Sequence, residues 1–131
     1  MTATTSSQRP RFTTATRAVL AVLLALHGYA HFVGTADNLR RLDEHSTGQL
    51  LDWTITSPAL LGTLAILWAA LGSGFIIAAV ITGLARPHAR ATVRALAAAS
   101  LVLSLASLWA TWIGVLVNLV ILAATYLWRR P

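Results

Sequence analysis

From Pro58 to Ala85, and again from Ala95 to Trp128, the chain runs without one charged side chain. About 20 consecutive apolar residues match the ~30 Å hydrocarbon layer of a bilayer, and a soluble helix of that length would need a polar face. A third apolar run, Ala18 to Val33, follows Arg17. Inside lipid every peptide group must be paired within the structure, so such runs form helices. The expected fold class is therefore all-α, a four-span transmembrane helical bundle. With 131 residues, 56% of them hydrophobic and 11% charged, there is room for one domain.

Residues 1 to 16 are rich in Thr, Ser and Arg and have no apolar period, which predicts a disordered cytoplasmic tail. Residues 17 to 131 form the four-helix transmembrane domain, with spans at about 17–34, 58–85, 95–111 and 113–128. The first is slightly short unless Thr13 to Thr16 extend it. Between the first two spans lie all four acids, Asp37, Asp43, Glu44 and Asp52, with Arg40 and Arg41. This is an aqueous outer loop, and its leucines with Trp53 and Ile55 predict an amphipathic segment along the membrane surface. Ser57 then Pro58 is a helix-start signature, since serine caps a free amide and proline has none to lose. In the second span Gly62, Ala65, Ala69, Gly72, Ala79 and Gly83 fall close to one face, where small residues let another helix approach. The 34 residues from Ala95 to Trp128 would measure about 51 Å as one helix. A break is expected near Thr111 to Gly114, with Trp109 and Trp112 as interfacial anchors; a single tilted helix is the alternative.

All ten basic residues are arginines. With both termini cytoplasmic, eight of them lie inside and only Arg40 and Arg41 outside, as the positive-inside bias requires of an inner-membrane protein. The arginines flank apolar runs and form no groove interleaved with aromatics, so no nucleic-acid partner is expected. The partners are the lipid bilayer and either another membrane protein or further copies of this chain. Gly28-Tyr29-Ala30 is a poor cleavage signal, and the first span reads as a retained anchor.

His27 and His31 lie one turn apart inside that span, and ionisable groups at such depth mark functional sites. Counted from the outer boundaries, Asn118 has a comparable depth. Ser100, Ser104, Ser107 and Thr111 share one face of the third span, whose outer members reach the same layer. These positions define a candidate ligand-binding pocket of His27, His31, Ser104, Ser107, Thr111 and Asn118, with Tyr29 or Trp68 at its margin. The alternative is that the same groups only join helices by hydrogen bonds.

The chemistry of the set narrows the ligand. No cysteine or intramembrane carboxylate is available to complete a metal site with the histidines, and none orients them as a catalytic dyad, so no catalytic or metal residue is assigned. Haem held by two histidines needs them on opposite sides of the iron, which one helix face does not supply; a single axial ligand or a partner chain would be required. Histidine and asparagine can hydrogen-bond the carbonyl oxygen of a quinone or similar amphiphile held between apolar walls. A small cation exporter shares the size and span count, but exchange in such a bundle relies on a buried carboxylate.

Leu26-His27-Gly28-Tyr29-Ala30-His31-Phe32-Val33-Gly34, followed by Trp112-Ile113-Gly114-Val115-Leu116-Val117-Asn118, resembles small uncharacterised bacterial four-helix membrane proteins. Their first span carries Leu-His-Gly-x-x-His and their last an Asn. The layout is also similar to DoxX-like proteins. That resemblance implies a four-helix bundle and an association with quinone-linked redox systems. The functional expectation is a non-enzymatic accessory or ligand-binding subunit for a quinone or other amphiphile; the alternative is a structural protein whose histidines fix helix packing.

Overall fold

Two hydroxyl side chains open the two longest helices. Thr13 Oγ1 accepts from the Thr16 amide at 3.1 Å and starts α1, Thr14–Asp43. Ser57 Oγ accepts from the Leu60 amide and, with Pro58 in the first turn, starts α2, Pro58–Gly83, where the sequence placed it. The computed structural model describes residues 13–51 and 53–127. The expected tail over residues 1–12, the side chain of Trp109, and Arg129 and Arg130 lie outside the described residues. Between α1 and α2 sits an antiparallel hairpin, β1 Gly48–Leu50 and β2 Trp53–Ile55, pairing Gly48 with Ile55 and Leu50 with Trp53. α3, Ala89–Ala106, and α4, Leu108–Leu127, complete an all-α fold of four helices. α1, α2 and α3 are long and apolar enough to cross a membrane, and Thr111–Leu127 is a shorter apolar helix.

Three boundaries depart from expectation. Helix begins at Thr14, inside the expected tail, because Thr13 caps it. α1 does not stop near Gly34 but continues to Asp43, about 45 Å in all, because Asp37, Arg40, Arg41 and Glu44 pair along its polar end at helical spacing. The amphipathic segment of the loop is thus the last turns of α1 together with the hairpin. The long apolar run does break, but first at Ser107, with Thr111 as a second non-helical residue (φ −133°). The Leu51 amide donates to the Ala106 carbonyl at 2.7 Å, an acceptor that an uninterrupted helix would have given to its own next turn.

The helices form two antiparallel pairs. Along α1 and α2 the neighbours run Leu42 with Gly62, Trp68 with Gly34, Gly28 with Gly72 and Ala21 with Gly83. At the crossing the backbones touch: a Cβ on Gly28 would lie 2.7 Å from the Gly72 carbonyl oxygen, and one on Gly72 2.8 Å from that of Gly28. Along α3 and α4, Ser104 neighbours Gly114, Ser100 bonds Asn118, and Arg94 bonds Thr125. Apolar side chains pack in two clusters, one of Leu20, Leu24, Phe75, Val93 and Ile121, the other of Ile55, Leu61, Leu64 and Trp68. Outward-facing positions are apolar too, including Val19, Leu23, Leu26, Ile66, Ile77 and Val120, whereas His27, His31, Ser100 and Asn118 are buried. Apolar outside and polar inside is the arrangement a lipid solvent favours.

α1 and α2 each end with a residue in the left-handed region, His45 (φ 51°) and Ala85 (φ 55°). Arg86 N donates to Ile81 O and Ala85 N to Thr82 O, closing a Schellman turn that prefers glycine at Ala85. Ala85→Gly is therefore expected to raise the unfolding free energy in detergent by about 1 kcal/mol. Gly72→Ala is expected to cost about 1–3 kcal/mol, because its new methyl meets backbone. Gly62→Ala, whose nearest neighbour would be Leu42 Cδ1 at 3.9 Å, is the near-neutral control in the same thermal melts.

Candidate functional site

Gly28 lies between the two histidines, so the α1–α2 backbone contact sets both rings against α2. His27 meets Phe75 edge-on at 4.7 Å between centroids, and His31 meets Trp68 at 5.1 Å and Phe75 at 5.3 Å. The imidazoles stand 4.6 Å apart. Their Nε2 atoms point to the other helix pair. His27 Nε2 lies 3.1 Å from Asn118 Oδ1 on α4, and His31 Nε2 lies 2.8 Å from Ser100 Oγ on α3. Asn118 Nδ2 donates to the same Ser100 oxygen at 2.8 Å. Both Ser100 and Asn118 are fully buried, and His31 is 3% exposed.

The two bonds of Asn118 have a fixed direction. Asn118 Oδ1 is only an acceptor, so His27 donates from Nε2. Asn118 Nδ2 is only a donor, so Ser100 Oγ accepts from it, and the His31–Ser100 bond takes its direction from the imidazole tautomer. Both α1 contacts cross to the α3–α4 pair. Both Nε2 atoms are engaged, so ligating a metal or haem iron through them would first cost the Asn118 or Ser100 bond. Among the described residues no group of three or more His, Cys, Asp or Glu is placed to hold a metal ion.

The remaining sequence-derived positions go elsewhere. Ser104 is 1% exposed, and its hydroxyl has no hydrogen-bond partner among the described residues. Thr111 Oγ1 donates to the Ser104 and Ser107 carbonyls at 2.8 and 2.9 Å and pins the corner between α3 and α4. Ser107 and Thr111 line a separate cavity of about 250 Å³, walled by Trp68, Leu64 and Leu51 and by the polar side chains of Asp37, Asn38, Arg41 and Gln49. Trp68 borders both this cavity and His31. Tyr29 does not; it is 71% exposed on the outer face of α1.

The division has a physical cause. An outer end near Gly34 would set the histidines level with Ser104 and Ser107, whereas α1 continues to Asp43 and the histidines meet α3 one turn deeper, at Ser100. Ser100 shares the hydroxyl face that the sequence does display, at i−4 from Ser104. Asn38, Arg41 and Gln49 carried no such signal, because only the hairpin brings them together.

Comparison with protein-family models, with curated proteins and with solved structures returns no match, so the site is read from its own geometry.

Asn118→Leu removes two buried bonds and strands the His27 N–H, and is expected to lower unfolding free energy by about 1–3 kcal/mol. Ser104→Ala removes a hydroxyl that holds no bond and is expected to be neutral or mildly stabilising. Denaturation of the two variants in the same micelles compares them directly.

Proposed function

We propose that the protein is a small four-span inner-membrane accessory protein, with both termini cytoplasmic, that holds the polar ring of a quinone-like amphiphile in the cavity beside Trp68. The observation that carries this reading is the mixed lining of that cavity. Apolar walls from Trp68, Leu64 and Leu51 face donors on Gln49, Arg41 and Ser107, the combination that orients a ring bearing carbonyl oxygens. Its 250 Å³ suits a single ring rather than a whole lipid. In this reading the histidine chain supports Trp68 from behind instead of touching the ligand.

Four spans require α4 to cross as well. Its apolar stretch Thr111–Leu127 measures about 25 Å, enough to cross where the bilayer is locally thin. The arginine distribution supports the same threading, since Arg86, Arg90 and Arg94 follow α2 whereas the acids lie in the last turns of α1 and in the segment after it.

A second reading is favoured by one observation, that each histidine Nε2 already has a protein partner. Here the histidines are helix-joining groups and the protein is a structural or interaction component of the membrane.

The two readings separate in a titration of the protein in nanodiscs with a benzoquinone carrying one isoprene unit, followed by tryptophan quenching. Ligand binding predicts saturable quenching that is lost in Trp68→Phe and weakened about tenfold in Ser107→Leu, which fills the cavity. His31→Gln is expected to lower stability while leaving the affinity within about threefold. Quenching that rises linearly and is unchanged by Ser107→Leu reports partition into lipid and leaves the structural reading.

A further inference from the structure

At the end of the bundle opposite the hairpin, Arg90 and Arg94 stand one turn apart on α3 and, with Ala91 and Ala95, line a shallow groove open to the surroundings. We propose that this groove binds the phosphate of an anionic phospholipid, with one acyl chain lying along the exposed face of α3.

Charge is the first argument. Every acidic residue of the chain lies between Asp37 and Asp52. The Leu51 to Ala106 bond fastens the hairpin to the far end of α3, about 24 Å from Arg90 along the helix. Asp37 and Glu44 are themselves engaged there by Arg40 and Arg41. Among the described residues no carboxylate therefore lies at the Arg90–Arg94 end of the bundle.

Preorganisation is the second. Arg94 Nε and Nη2 donate to Thr125 Oγ1 and to its carbonyl, both at 3.1 Å, and the guanidinium lies 4.5 Å over the Tyr126 ring. These contacts fix its plane and leave Nη1 without a bond to a described residue. Arg90 makes no side-chain hydrogen bond to a described residue. Two guanidinium groups so placed suit the oxygens of one phosphate.

Position selects a lipid over a soluble anion. Both arginines lie in the first two turns of a helix about 27 Å long, at headgroup level, where such side chains reach toward the interface. Beyond them Ala91, Ala95, Ala98 and Val102 are exposed at spacings of four, three and four, a smooth apolar track continuing from the groove.

Native mass spectrometry of the purified chain with phosphatidylglycerol, phosphatidylcholine or inorganic phosphate tests the assignment. Phosphatidylglycerol is expected to be retained about 30-fold better than phosphatidylcholine, at about fivefold per arginine. Arg90→Gln, which leaves the Thr125 clamp intact, is expected to lose about fivefold of that preference. Ala95→Leu should weaken retention with the charge unchanged. Equal retention of the two lipids overturns the proposal, as does full competition by millimolar phosphate, which would make the groove a free-anion site. Burial of the same face in a dimer that excludes lipid overturns it too.

Discussion

The contact between Gly28 and Gly72 is the constraint on which the rest of the structure depends. Two helix backbones meet where either Cβ would lie within 3 Å of a carbonyl oxygen, an approach available only to glycine. Lipid tails are as apolar as leucine, so packing this close replaces the hydrophobic drive of a soluble core. Because Gly28 separates His27 from His31, the same contact decides where both rings go. With α2 covering them through Phe75 and Trp68, the polar Nε2 edges are left to face α3 and α4.

The bundle is thus two tightly packed helix pairs joined by a polar layer. His27 and His31 come from one pair, Ser100 and Asn118 from the other, with an apolar cluster on each side of them. Each bond across this layer contributes on the order of 0.6 kcal/mol, rarely above about 1.7. Their larger effect is on register, because sliding one pair past the other strands several buried donors at once. The cavity beside Trp68 inherits that rigidity, since its main apolar wall is also the neighbour of His31.

How much of this was legible in the sequence varies with the physics of each feature. Helix count and the start of α2 were, because apolar length and the Ser57–Pro58 pair are local signals. The closeness of His27, His31 and Asn118 followed from the scarcity of polar groups in apolar runs. The reach of α1 was legible only through its i, i+3 and i, i+4 ion pairs, which read equally well as a solvated loop. The hairpin left almost no trace, since its turn places Leu51 at φ 53°, a conformation leucine does not advertise. That in turn hid the cavity, whose polar lining the hairpin assembles. On α2, outward and inward residues are alike apolar, and of the expected small-residue face Ala65, Gly72 and Ala79 are buried, Gly62 and Ala69 half-buried and Gly83 exposed.

The bond from Leu51 to Ala106 ties the two halves of the chain to each other through backbone alone. The bend between α3 and α4 is held by an amide from the first half of the chain, taking a carbonyl that the apolar run would otherwise keep for itself. The bend and the hairpin therefore complete each other's backbone pairing, so a change that unfastens the hairpin also frees the corner between α3 and α4.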